Sequence, residues 1–291
     1  MKNTELELVL DHICELATPL SFSKLYMLSH LDGHELALLS ERWALIDSER
    51  RRQVMDALVE IAEANFAVDF NSIFRLGLSD EDAEVRAQAV DGLWEDESPG
   101  LVDVLLHMLD SDPSILVRAA AATGLGRFVL MAELEELDQE MGEVIVEALW
   151  EAIEDPLESL EPKRRAVESI SYSGVEGVEE LIERAYRDPE EQMRVSAVFS
   201  MGRSADPDWG PTVIAELRSP NPEMRFEAAR ACGELELRRA VPELISAIAD
   251  VDREVQQAAI YALGKIGGQE ARRVLHLCCD CLLYTSDAAD E

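Results

Sequence analysis

The chain has 291 residues and carries 26 Lys and Arg against 60 Asp and Glu, a formal charge of −34. A surface this acidic repels phosphate backbones and anionic lipid headgroups. That argues against nucleic-acid and membrane partners and leaves room for a basic protein or peptide. Hydrophobic residues make up 47% and aromatic residues only 5%, so an aliphatic core is expected, which suits packed helices better than a sandwich or barrel.

The opening MKNTELELVLDH has no charged segment followed by an apolar run, so no signal peptide is expected. No stretch approaches the ~18 uninterrupted apolar residues of a membrane span. Five cysteines without a secretory signal fit a reducing, cytoplasmic setting.

In chain order, residues 4–16 and 21–30 read as a helical pair separated by Thr18-Pro19. This pair makes residues 1–32 an N-terminal cap. Residues 34–43 and 48–63 form a hairpin, and 67–78 a further helix. From there one line recurs: RAQAVDGLW at Arg86, RAAAATGLG at Arg118, KRRAVESIS at Lys163, RVSAVFSMG at Arg194, RFEAARACG at Arg225 and QQAAIYALG at Gln256. Three positions after each anchor stands Ala89, Ala121, Ala166, Ala197, Ala228 or Ala259. Seven after stands Leu93, Leu125, Ile170, Met201, Cys232 or Leu263. The last four anchors are 31 residues apart each time.

Anchor, Ala and apolar residue follow helical spacing and mark one helix, B. Alanine lets two helix axes approach closely. Gly126, Gly202, Gly233 and Gly264 follow the last apolar position and are expected at left-handed helix ends. Asp80, Asp112, Asp188, Asn221 and Asp252 precede the anchors as turn and capping residues. Upstream of the turns lie amphipathic segments 99–110, 139–154, 175–187, 208–218 and 239–250, the A helices. One hairpin cannot bury its own apolar face, so hairpins stack. The predicted fold is all-α, a right-handed α-solenoid of helix hairpins over residues 33–280.

An insertion, roughly Val129 to Glu140, is expected to lengthen one B helix and add an acidic loop. GGQEARRVLHLCCD begins another A helix in a repeat that is cut off. The tail CLLYTSDAADE, residues 281–291, breaks the pattern and reads like a translated transposase-type sequencing adapter. Setting aside its Asp287, Asp290 and Glu291 raises the formal charge of −34 by three, to −31. Setting it aside also disposes of a false metal cluster at His276, Cys278, Cys279 and Cys281.

The segments DREVQQAAIYALG and DPSILVRAAAATGLG resemble the HEAT-like repeats first described in phycobiliprotein lyases. The resemblance covers about residues 80–276 and is specific for fold. It implies that Arg86, Arg118, Arg194 and Arg225 join a ladder with acidic residues of neighbouring units. Families of this architecture include chromophore lyases, adaptors, transport receptors, a DNA-glycosylase group and an iron hydroxylase. The hydroxylase needs several His-Glu pairs, and here only His34-Glu35 occurs. The glycosylase group needs a basic concave face, which this chain's charge does not supply.

There is no P-loop, GxSxG or HExxH, and Gly124-Leu125-Gly126 lies at a helix end. No catalytic residue, metal or cofactor is expected. One stripe stands out. Positions one and five after the anchor point away from the Ala and give Val195/Phe199, Phe226/Arg230 and Gln257/Tyr261, with Arg203 and Lys265 one turn further on. Exposed aromatics beside cations resemble interface anchors. Phe199, Arg203, Phe226, Arg230, Tyr261 and Lys265 are thus the candidate partner-binding residues, on the concave face. The expected function is a non-catalytic scaffold for a protein or peptide. The alternative is an enzyme subunit such as a chromophore lyase-isomerase partner.

Overall fold

The structure, a computed structural model, describes residues 3–16 and 18–287, with side chains for 6–16 and 18–278. Among the described residues every regular element is helical. The chain divides into two compact units, one of residues 1–132 and 137–166, the other of 133–136 and 167–291.

The first unit opens with α1 (Asn3–Cys14), α2 (Phe22–Leu25) and a 3₁₀ turn, Tyr26–Leu28. They pack on α3 (Gly33–Trp43) and α4 (Ser48–Ala64). The hairpins continue with α5 (Asn71–Gly77) and α6 (Ala83–Gly92), then α7 (Pro99–Ser111) and α8 (Ile115–Glu133). α9 (Gln139–Glu154) follows, and α10 (Leu160–Ile170) begins in this unit. The insertion does lengthen α8. α8 is also long and apolar enough to cross a membrane by length and composition. Its Val117, Ala121, Leu125 and Phe128 are nevertheless wholly buried, and Arg118 and Arg127 lie along it, as fits the core helix of a hairpin stack.

The second unit holds the end of α10, then α11 (Val178–Tyr186) and α12 (Glu191–Arg203). α13 (Gly210–Glu216) and α14 (Pro222–Glu234) form the next hairpin. α15 (Val241–Ala247), α16 (Arg253–Ile266) and α17 (Gln269–Asp287) complete it. Short 3₁₀ turns, Pro207–Trp209 and Arg238–Ala240, lead into α13 and α15. The B helices α12, α14 and α16 lie side by side. Residues 288–291 and the side chains of 279–287 lie outside the described residues; of the tail read as foreign, 281–291, the helical backbone of 281–287 at the end of α17 is described.

All six repeat alanines and all six residues four positions later are fully buried. The glycines are a correction. None of Gly126, Gly202, Gly233 and Gly264 is left-handed; each lies inside its helix. The left-handed residues come three positions after the last three, at Ala205 (φ 55°), Glu236 (φ 49°) and Gly267 (φ 65°). Gly202 and Gly233 are instead places of close helix approach. A Cβ on Gly202 would lie 2.8 Å from Ala231 Cα, and one on Gly233 2.8 Å from Ala262 Cα. Glycine there sets the separation of α12, α14 and α16.

The arginine ladder forms at three of the four expected positions. Arg86 grips Asp112 with two hydrogen bonds of 2.8 Å, Arg118 grips Glu158 at 2.7 and 2.9 Å, and Arg225 grips Asp250 at 2.8 Å twice. Each arginine also donates to carbonyls in the turn just before its own helix: Asp80 and Glu81, Asp112, or Ser219 and Pro220. Arg194 keeps its turn bonds to the carbonyls of Asp188 and Pro189, but among the described residues it has no ion pair. The position 31 before Asp250 is Ser219, which has no charge to offer. Arg51 adds a rung outside the four expected ones, pairing with Asp80 at 3.0 Å.

The turn acids brace their turns as well as pair: Asp112 and Asp250 accept from the backbone N–H two residues on, at Ser114 and Asp252. Capping is a correction in part: Asn221 and Asp252 do cap their helices, but Asp80, Asp112 and Asp188 only close the turns before theirs, and Asp82 is the cap of α6. Burial works against ionised Asp112, yet the bonds from Arg86 and Ser114 N–H outweigh it and hold its carboxyl below the ordinary range. The Arg225 bond is the main reason Asp250 sits low.

Candidate functional site

The repeat register decides which side chains line the outer face of α12, α14 and α16. Ala and the residue four later point into the core, so positions one, five and nine after the anchor fall toward the opposite side. Phe199 and Arg203 come from α12, Phe226 and Arg230 from α14, Tyr261 and Lys265 from α16. Phe199 and Phe226 are half-buried, and Tyr261 is 58% exposed. Val195, one position after its anchor, is 2% exposed and belongs to the core. It is removed from the stripe, because the first turn of α12 is covered where the corresponding part of α14 leaves Phe226 half open.

The side chains interleave. Arg203 lies 5.1 Å from the centre of the Phe199 ring and 5.6 Å from that of Tyr172. Arg230 lies 5.5 Å from the Phe199 ring and 5.7 Å from the Phe226 ring. The order Tyr172, Arg203, Phe199, Arg230, Phe226 is thus a continuous alternation of aromatic and guanidinium. Each contact is attractive because the cation meets the negative face of a ring. On the next helix Lys265 sits 5.6 Å from the Tyr261 ring, a separate pair one helical turn apart.

Carboxylates complete the face. Glu234 binds Arg203 at 3.2 Å and Arg230 at 3.6 Å. Glu227 lies 3.6 Å from Arg230, too far for a hydrogen bond, and its Oε2 has none. Burial pushes Glu227 up to about 7, with Glu168 and Glu234 adding to the rise and Arg230 and Arg203 opposing it. Glu234 is raised by burial too, against the pull of Arg203, Arg230 and Lys265. Glu168 accepts a hydrogen bond from the Ser196 hydroxyl.

Sequence reasoning missed Tyr172, Glu168, Glu227 and Glu234 as members of this face. The signal was present for three of them. Tyr172 and Glu234 occupy the same register as Arg203 and Lys265, nine after the anchor, and Glu168 the same register as Phe199, five after. Glu227 gave no such signal, since two positions after the anchor is a boundary position whose burial depends on the neighbouring helix.

Other candidates are accounted for structurally. Cys232 is fully buried, and burial raises its thiol to about 12. His34 and Glu35 are not a surface pair: Glu35 is 5% exposed and accepts from Asp32 N–H in a capping box at the start of α3. Among the described residues, no cluster of three or more His, Cys, Asp or Glu could hold a metal ion.

The family model for HEAT repeats matches residues 73–160, 178–243 and 210–280. The chain belongs to the HEAT-repeat family. No curated protein matches its sequence. Among solved structures, this HEAT-repeat chain is similar to the complex of CpcE and CpcF of phycocyanin lyase from Nostoc sp. PCC7120. The identity is 17%, the TM-score 0.52, and the match covers 90% of this chain and 95% of that one. Human deoxyhypusine hydroxylase is similar at 20% identity and a TM-score of 0.39, covering 90% and 96%. Kap95p in its complex with RanGDP is similar at 13% and 0.44, covering 90% of this chain and 39% of that one. At 17% identity the likeness to the lyase complex speaks to fold alone, and the other two, with TM-scores below 0.5, carry no argument.

Proposed function

We propose that this HEAT-repeat chain is a non-catalytic scaffold that binds a protein or peptide across the solvent-facing side of α12, α14 and α16, the side expected from the sequence to be concave. One observation carries the reading: Arg203 and Arg230 are held between Tyr172, Phe199 and Phe226 while all of them stay partly open to solvent. Arginine and aromatic side chains supply most of the energy in protein interfaces. Here they are immobilised beforehand by one another, which lowers the entropy lost when a partner arrives. Tyr261 and Lys265 extend the same chemistry to a third helix. The alternative, a chromophore-lyase subunit, draws no support from Cys232, whose thiol is buried and protonated.

A phage-displayed dodecapeptide library panned on the whole chain tests the proposal. Recovered peptides should bind the Phe226→Ala and Tyr261→Ala variants at least ~tenfold more weakly, about 1.4 kcal/mol each. The melting temperature should change little. Peptides that bind both variants as tightly as the parent would refute the site.

A further inference from the structure

A second surface in the same unit has a different character. Between α13 and the loop that follows α14 lies a cavity of about 540 Å³. Pro207, Pro211 and Ile214 form one wall, Leu235 and Leu237 the other, and Arg238 and Arg239 stand at its edge. The volume is that of a cleft able to take a large side chain or two. The walls are fixed: Leu235, Glu236 and Leu237 each donate a backbone hydrogen bond to the last turns of α14, and Leu237 sits close beside Gly210.

Charge distinguishes this place from its repeat equivalents. Positions 238 and 239 correspond, at intervals of 31, to Glu176-Gly177, Pro207-Asp208 and Gln269-Glu270. Those sites are neutral or acidic, as suits the first turn of a helix, where negative charge is stabilising. Two arginines there oppose the helix dipole, so local stability does not explain them. Both are exposed, and among the described residues neither has an ion pair. Arg75, Arg86, Arg118, Arg203 and Arg225 pair with carboxylates, and Arg194, which shares the lack of an ion pair, is held by two turn carbonyls. Glu236 is the single carboxylate of the lining, leaving two cations against one anion in a chain of charge −34.

We propose that this cavity docks an acidic segment of a partner protein, which inserts one large apolar side chain between Ile214 and Leu237 while its carboxylates pair with Arg238 and Arg239. The two requirements act together. The apolar walls supply the affinity. The arginines choose carboxylates, which they can grip with two parallel hydrogen bonds, over the basic segments that the rest of this surface would attract. The chain's overall negative charge does not forbid this, because screening confines exposed charges to about 8–10 Å in physiological salt. None of these residues belongs to the aromatic stripe, so the inference stands apart from it.

The test is an array of octapeptides with Leu or Phe at the centre, flanked by Asp and Glu or by Lys and Arg, probed with the whole labelled chain. Acidic-flanked peptides should be retained preferentially. The double variant Arg238→Glu, Arg239→Glu should lose at least ~tenfold of that retention, and Ile214→Asp a similar amount. Both arginines are exposed and glutamate suits the first turn of a helix, so the double variant should melt at the parent temperature or slightly above it. Phe226→Ala should bind this array unchanged, which separates this surface from the stripe. Equal retention of acidic and basic peptides would overturn the proposal, as would unchanged binding by the double variant. Peptides with Gly at the centre that bind as well as the Leu peptides, with inorganic phosphate displacing both, would reduce the cavity to a bare anion contact and likewise overturn it.

Discussion

Gly233 and Gly264 occupy the same register 31 residues apart, yet opposite outcomes are expected when each becomes alanine. In Gly233→Ala the new Cβ would lie 2.8 Å from Ala262 Cα and 3.0 Å from Ala262 Cβ. Carbon atoms in contact prefer about 3.5–4.0 Å, so α14 and α16 must part by roughly 0.7–1 Å. Neither neighbouring atom belongs to a flexible side chain, so the whole helix interface has to give. Such overpacking costs about 1–3 kcal/mol, offset by the ~1 kcal/mol that alanine gains over glycine inside a helix. A net loss of up to about 2 kcal/mol follows. In Gly264→Ala nothing lies within 4 Å of the new Cβ, so the helix gain of up to ~1 kcal/mol stands alone. For a domain of this size that corresponds to roughly 2–4 °C per kcal/mol. Thermal and urea unfolding followed by helical circular dichroism should show Gly233→Ala melting lower than the parent and Gly264→Ala higher. If both variants melt higher, helix separation is not set by Gly233 and the packing account is wrong.

Glu227→Gln tests the buried carboxyl. Its folded value of about 7 lies above the ~4.3 of an unfolded glutamate, so the parent loses on the order of 3 kcal/mol of stability as pH rises through that window, and the variant should not. Asp112 and Asp250 have the opposite sign. Their contribution is complete above ~3.9 and disappears as pH falls below it, so Arg225→Met should melt lower at neutral pH and show a shallower acid transition. Equal pH profiles of parent and variant would contradict the ladder. Ala205→Gly should raise stability by about 0.5–1 kcal/mol, because alanine is held there at φ 55°; a decrease in the urea midpoint would count against it. Cys232 should resist thiol reagents until the chain unfolds, whereas Cys14, which is exposed, should react in the native state.

The sequence by itself determined the repeat. An Ala and an apolar residue at fixed distances from an anchor, recurring every 31 residues, can satisfy helical burial only as stacked hairpins. The fold class, the helix order and the core positions followed from that alone. It also set the register of the outer face, because the side of a helix opposite its buried stripe is fixed by geometry. Local pattern said nothing about what stands across from each face. Whether Gly202 ends a helix or receives Ala231 depends on a neighbour 29 residues away. Arg194 lacks a carboxylate partner because Ser219 stands where its neighbours have Asp. Val195 is covered and Phe226 half open although each stands one position after its anchor. Glu227 is pushed toward neutrality by packing that only the assembled helices create. Those properties depend on distances between helices, and distances between helices are decided in the tertiary structure.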